Sequence, residues 1–261
     1  MCAYSRGRHE HGQNFLVDDR VIGAILDLVR GTSGPIIEIG PGGGALTIPL
    51  AALGRPLTAV EIDGRLADRL RRHPQLRSAE LVHGDFLRYR LPHSGHVIVG
   101  NLPFHQTTAV LRHLLHAPGW TEAVLMTQWE VARRRAAVGG ATMMTAQWWP
   151  WFEFELHDRV PASSFVPRPG VDAGVIKITR RRTPLLDVTA RRPYKAFVHD
   201  AFTGCGRGIE GILVNLAGRE RRMVVRAALV RRGITRHALP KDLSDEDWAA
   251  LFSELGRPAA R

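Results

Sequence analysis

The chain has 261 residues, 44% of them hydrophobic and 23% charged, a globular composition that suits one large domain, or an ordinary domain with a small companion, and excludes a disordered polymer. Lys and Arg number 36 against 25 Asp and Glu, a formal net charge of +11 at pH 7, which points to a polyanionic partner. Cys2 and Cys205 are the only cysteines, too few for a disulfide framework or a zinc cluster, and they fit a reducing compartment.

Only Lys177, Lys195 and Lys241 are lysines, so 33 of the cationic residues are arginines, whose planar guanidinium can grip phosphate with two parallel hydrogen bonds. Residues 1–11 are polar and basic with no apolar stretch behind them, which predicts a flexible N-terminus and no secretory signal. The apolar run Val21–Val29 is short and carries Asp27, so no membrane span is expected. These features predict a soluble cytoplasmic protein.

From residue 35 to residue 99, short β-branched runs alternate with helical stretches. Pro35–Ile39, Leu57–Glu61, Ala79–Val82 and His96–Val99 are predicted strands, and Ala45–Leu53, Arg65–His73 and Thr107–His116 are predicted helices. Such alternation implies crossover connections and a parallel sheet, an α/β fold. Glu122–Gln128 is a fifth strand, and Phe152–Val160 and Gly174–Arg180 form a closing hairpin around the Pro-rich stretch from Pro161 to Gly170. Trp148, Trp149, Trp151, Phe152 and Phe154 lie where a late strand should pack and are expected to fill core rather than stack on bases. Beyond Arg180–Pro184 the periodicity is helical only, at Tyr194–Phe202, Ile209–Leu216, Arg221–Arg232 and Ser244–Leu255, where Ser244 and three following acids make a good helix start. The predicted boundary therefore falls near residue 182, with an α/β domain at 1–182 and a small all-helical, Arg-rich domain at 183–261.

Three motifs follow successive strands. Glu38-Ile39-Gly40-Pro41-Gly42-Gly43-Gly44 places Gly40, Gly42 and Gly44 at a strand-to-helix turn, where glycine lets the backbone turn sharply beside a ligand. The spacing is neither that of a dinucleotide fold nor that of a P-loop. Glu61, followed by Ile62, ends the second strand, where a carboxylate can accept both hydroxyls of a ribose. Asp85, followed by Phe86, comes after the third strand; the acid can accept from an adenine amine while the ring covers the base. In strand order these describe a nucleoside cofactor pocket at the carboxyl ends of a parallel sheet.

Gly100-Asn101-Leu102-Pro103-Phe104 follows the fourth strand, and Gly12-Gln13-Asn14-Phe15-Leu16 lies upstream. With all five motifs in order, residues 12–179 resemble the Erm family of 23S rRNA adenine N6-methyltransferases, within the KsgA/Erm superfamily, and the helical tail matches more loosely. The resemblance implies a Rossmann-like methyltransferase domain with a mostly parallel seven-stranded sheet, S-adenosyl-L-methionine as cofactor, 23S rRNA met before full ribosome assembly, and macrolide–lincosamide–streptogramin B resistance. It implies that Gln13, Asn14 and Leu16 contact the cofactor, that Asn101 lies at both cofactor and substrate, and that Phe165 borders the target base. A monomer is expected.

The chemistry of the fourth motif agrees. An adenine amine is a poor nucleophile because its lone pair is delocalised into the ring. Accepting both of its N–H groups, on the Asn101 side-chain oxygen and the Leu102 carbonyl, turns that lone pair towards an electrophile. Pro103 stiffens the carbonyl, and Phe104, where the family commonly has Tyr, offers a face to an extruded base. His105-Gln106 also departs from the family's usual Asn-Ile. Arg133, Arg134, Arg135 and Arg168 are expected to grip RNA phosphates, with Arg180–Arg182, Arg191, Arg192, Arg207 and the stretch 219–232 extending the track. His9 and His11 lack companions at metal-ligand spacing, so no metal is expected. A KsgA-like small-subunit rRNA dimethylase shares all five motifs, but Phe202–Gly208 lacks that group's usual Arg-Arg-Lys run; a non-catalytic RNA-binding factor on the same fold is the alternative from another class.

Overall fold

The computed structural model describes residues 14–256; Gln13, the basic stretch 1–11, His9, His11 and Cys2 lie outside the described residues. Short strand β1 (Phe15–Leu16) leads into α1 (Asp19–Arg30), and β2 (Ile36–Ile39), α2 (Thr47–Ala51), β3 (Leu57–Glu61), α3 (Gly64–Arg71), β4 (Glu80–His83), β5 (His96–Asn101) and α4 (Thr107–His116) follow. Then come β6 (Trp120–Gln128), α5 (Trp129–Arg135), α6 (Met143–Ala146), β7 (Phe152–Val160), β8 (Phe165–Val166) and β9 (Ala173–Arg180), and finally α7 (Arg191–Thr203), α8 (Gly208–Ala217), α9 (Arg222–Arg231) and α10 (Asp245–Leu255).

Seven strands form one sheet in the order β4-β3-β2-β5-β6-β9-β7, and β2–β3, β2–β5, β3–β4 and β5–β6 pair in parallel. Every residue of β2 is buried, as expected of an apolar central strand covered on both faces. Its order reverses beside β2, where β3 lies on one side and β5 on the other, and the carboxyl ends of these strands open a crevice. A separate pair, β1 with β8, is antiparallel and sets Phe15 opposite Val166 and Leu16 opposite Phe165.

Contacts group the chain up to Ala132 with Leu156–Lys177 as one compact unit, and Arg133–Glu155 with the chain from Ile178 onwards as a second. The boundary read from sequence, near residue 182, put Arg133–Glu155 in the first domain. The second unit gathers this segment because its aromatic residues pack with the helices. Trp151 meets Tyr194 edge-on at 5.6 Å, and the Tyr194 hydroxyl donates to the Ala146 carbonyl at 2.8 Å. Trp148, Trp151 and Phe152 are buried, as core filling requires, while Trp149 and Phe154 are half-buried. In α10 the cap expected at Ser244 is present as a reciprocal box: Ser244 Oγ accepts from the Asp247 N–H and the Asp247 carboxylate from the Ser244 N–H, both at 3.1 Å. No helix among the described residues is long and apolar enough to cross a membrane.

Candidate active site

The crevice at the carboxyl ends of β2, β3 and β5 is a cavity of about 680 Å³. Each sequence motif contributes to its wall: Asn14 and Leu16, the loop 38–44, Glu61 with Ile62, Asp85 with Phe86, and Asn101 through Phe104. Gly40, Gly42 and Gly44 have φ of +62°, +54° and +92°, a conformation in which any Cβ is strained. At Gly44 a Cβ would also sit 2.8 Å from Leu70 Cδ2 in the buried packing of α3. We expect Gly44→Ala to lose roughly 1–3 kcal/mol of stability, read as a lower urea midpoint with an unchanged denaturant slope.

Glu61 is 1% exposed, and its two carboxylate oxygens are each held by a backbone donor. The Gly42 N–H reaches Oε2 and the Asp63 N–H reaches Oε1, both at 2.9 Å. One acid thus fixes the glycine turn and the end of β3 together. A carboxylate has about four acceptor positions, so two remain for hydroxyls in the cavity. Ile62 presents an apolar side chain at the cavity although it is 43% exposed. Phe86 is buried with its ring 5.5 Å from His113 in an edge-on contact, and Asp85 Oδ1 accepts from the Leu87 N–H at 2.9 Å, which sets the carboxyl at the start of a short turn.

The fourth motif is pinned at three points. Asn101 Nδ2 donates to the Asn14 carbonyl at 2.9 Å, which fixes the amide orientation and turns Oδ1 away as an acceptor. The Leu102 N–H donates to the Met126 carbonyl of β6 at 2.9 Å, and the Gln106 N–H to the Pro103 carbonyl at 2.9 Å. Among the described residues no donor meets the Leu102 carbonyl. The loop therefore offers two acceptors, Asn101 Oδ1 and Leu102 O, beside the half-buried ring of Phe104.

Phe15 and Glu38 are cavity residues to which the sequence reading gave no role of their own. Phe15 lies so close to the glycine turn that a Cβ on Gly42 would sit 3.2 Å from its ring; its place inside the Gly12–Leu16 motif was the available signal. Glu38 is 2% exposed, and its Oε2 has no hydrogen-bond partner. Burial pushes its carboxyl up to about 8; the nearby Thr47 hydroxyl opposes the shift and the charge of Glu61 adds to it. Its signal was an acid inside an otherwise apolar buried strand.

The expected RNA contacts divide. Phe165 is buried in the core opposite Leu16 and is not on the cavity wall. Arg168 is exposed. Arg133 Nη1 donates to the Val138 carbonyl at 3.2 Å and Arg135 Nη1 to Thr142 Oγ1 at 3.0 Å, so both brace the turn after α5, while Arg134 is exposed. Several arginines of the extended track have partners inside the second unit. Arg181 pairs with Glu153 and Asp245, Arg226 with Glu210, Arg231 with Glu254, and Arg232 with Asp247. Arg221 donates to the carbonyls of Glu254 and Leu255. Arg180 lies over the Phe152 ring and Arg191 over Trp148 and Trp151. Arg182, Arg192, Arg207, Arg219 and Arg222 remain exposed. Among the described residues no group of three His, Cys, Asp or Glu could hold a metal ion.

Residues 4–256 match the family model described as ribosomal RNA adenine dimethylase. The chain belongs to that family. An rRNA adenine N-6-methyltransferase of Corynebacterium diphtheriae is 59% identical over 213 residues, covering 82% of this chain and 84% of that protein. The mycinamicin-resistance protein MyrB of Micromonospora griseorubida is 47% identical over 97% of this chain and 82% of its own length. The crystal structure of the 23S rRNA methyltransferase ErmE superposes with a TM-score of 0.84 at 36% identity, covering 93% of this chain and 99% of that one. The adenine dimethylase family is thus matched along nearly the whole chain, in the cavity motifs and in the helical segment alike.

Proposed function

We propose that this chain transfers a methyl group from S-adenosyl-L-methionine to N6 of an adenine in 23S rRNA, and so protects ribosomes from macrolide, lincosamide and streptogramin B antibiotics. We place it in the cytoplasm, acting as a monomer on RNA not yet fully assembled into ribosomes. The observation that carries this reading is the fixed Asn101 amide, with Oδ1 and the Leu102 carbonyl left as paired acceptors at the cavity.

The cavity residues fit the cofactor. Glu61 has acceptor positions for ribose hydroxyls, Asp85 for the adenine amine, Ile62 and Phe86 are apolar faces for the ring, and Glu38 is a buried acid beside the glycine turn. Asn14 and Leu16 close the same cavity, and we extend this role to Gln13. When bound, the cofactor supplies a methyl group on a positively charged sulfur. The protein's part is positioning. Asn101 Oδ1 and Leu102 O accept the two N–H groups of the target amine, drawing the nitrogen towards tetrahedral geometry with its lone pair aimed into the cavity. Phe104 stacks on the extruded base. Asn101 carries no charge and takes no proton; the excess proton of the product leaves to solvent. Arg134 and Arg168 contact phosphates, Arg133 and Arg135 hold the turn that presents Arg134, and Phe165 supports the base indirectly through β1. The helices from residue 183 onward add the exposed arginines.

Glu38 gives the cofactor site a pH signature. With its carboxyl pushed up to about 8 by burial, Glu38 takes up a proton near neutral pH, and a cationic ligand favours the ionised form. Binding below about pH 8 therefore expels a proton, so affinity strengthens as pH rises from 6.5 towards 8 and then levels off. Calorimetric titrations of S-adenosyl-L-methionine in buffers of different ionisation enthalpy should detect that proton, and Glu38→Gln should flatten the profile.

Expression in a sensitive host tests the function directly. We expect raised tolerance to all three antibiotic classes and methylated adenine in digests of 23S rRNA by mass spectrometry. Unchanged tolerance with methylated small-subunit RNA would transfer the assignment to the small-subunit dimethylases.

A further inference from the structure

Thr127 is the last buried residue of β6, after the run Ala123–Met126, and is 1% exposed; Thr107, the first residue of α4, is 2% exposed. Their hydroxyls meet at 2.7 Å. Valine has nearly the same shape at either place, and burying a hydroxyl costs free energy unless it is hydrogen-bonded, so two facing hydroxyls in a core position call for a reason beyond packing.

The surroundings supply one. Thr107 follows Gln106, whose N–H holds the Pro103 carbonyl at 2.9 Å, and Thr107 Oγ1 lies 3.5 Å from that same carbonyl. Thr127 follows Met126, whose carbonyl holds the Leu102 N–H. Consecutive residues of β6 thus grip the Asn101–Phe104 loop from two sides, Met126 through the backbone and Thr127 through a hydroxyl chain. The proton order follows from the acceptors. Thr107 has a carbonyl to donate to, so Thr127 donates to Thr107, and Thr107 donates towards Pro103. The peptide that this chain restrains is the one directly after the Leu102 carbonyl.

We propose that Thr127 and Thr107 are positioning residues that set the direction of the Leu102 carbonyl, and hence the geometry in which the target amine is held. This rests on the methyl-transfer reading above. Neither side chain lines the cofactor cavity, so loss of the hydroxyl pair acts on the turnover of bound substrates and leaves cofactor affinity alone.

The test is steady-state methylation of an RNA substrate by the full chain, with cofactor affinity measured separately. Thr127→Val should lower kcat about tenfold, the effect of one well-placed hydrogen bond, with the KM values for RNA and cofactor within about twofold of the wild type. Thr127→Ser, which keeps the hydroxyl, should recover most of that loss. Thr107→Val should behave like Thr127→Val, and the double variant should be no slower than either, because both changes break one unit. A kcat within twofold of the wild type for a folded Thr127→Val protein overturns the proposal, as does a Ser variant as slow as Val, or KM values that move in step with kcat. If Thr127→Val does not fold, Thr107→Val and the Ser variant decide by the same criteria. A wild-type chain that methylates no adenine sinks the functional reading itself, whereas an active wild type with indifferent threonine variants sinks only this inference.

Discussion

Asn101→Ala is expected to reduce kcat for RNA methylation by about 100-fold or more, the typical cost of removing one preorganised hydrogen-bonding group at a reacting centre. The alanine removes Oδ1, the acceptor for one amine N–H, and also the Nδ2 donor that ties β5 to the Asn14 carbonyl. With one acceptor gone, the amine has no reason to leave planarity, and its lone pair stays in the ring. Glu61, Asp85 and the glycine turn are untouched, so the loss of S-adenosyl-L-methionine affinity through Asn101 and the Asn14 it holds should be much smaller than the loss of kcat. Equal methyl incorporation by the variant and the wild type, measured with radiolabelled cofactor, refutes the catalytic assignment. Asn101→Asp is a sharper probe. It restores an acceptor but places a second acceptor against the Asn14 carbonyl, so it should recover little of the lost rate.

The second large effect is on cofactor binding. Glu61→Ala should weaken S-adenosyl-L-methionine affinity by about 100-fold, because hydrogen bonds to a charged group contribute roughly 1.5–3 kcal/mol each and two hydroxyls lose theirs. The same change strips acceptors from the Gly42 and Asp63 N–H groups, and a buried donor left unsatisfied costs about 1–3 kcal/mol. Loss of affinity should therefore arrive together with a lower denaturation midpoint. Glu61→Gln keeps the size and one good acceptor, and we expect roughly a tenfold loss of affinity. Calorimetric titration and urea unfolding check both halves, and an alanine variant that binds cofactor normally removes Glu61 from the site.

Much of the cavity wall was legible because each motif pairs a residue type with a strand end. Glycines at 40, 42 and 44 announced positive φ, and Glu61, Asp85 and Asn101 each sit where a parallel sheet opens. The strands at Leu57–Glu61 and Phe152–Val160 and the helix at Thr107–His116 occupy the predicted residues, since apolar β-branched runs and 3.6-residue periodicity are local signals. Helix α1 was missed although Asp18 caps it and Ile25, Leu26 and Val29 form its buried face; the same apolar run was weighed only as a membrane span. The β1–β8 pair was beyond reach, because two residues at each place make no periodic pattern and the partners, Phe15 with Val166 and Leu16 with Phe165, lie far apart in the chain. The ion pairs of the arginines were hidden for a related reason. A guanidinium beside acids on α8 and α10 looks in sequence like any other positive charge, and only the fold reveals that Arg226, Arg231 and Arg232 are neutralised in place.

The antiparallel pairing of Phe15 with Val166 also ties the segment that carries Asn14 to a strand made much later in synthesis. Translation delivers the amino end first, yet the segment carrying Asn14 finds its strand partner only after residue 166 has left the exit tunnel. Until then β1 has no partner strand to hold the Asn14 carbonyl at Asn101, one of the three hydrogen bonds that pin the loop.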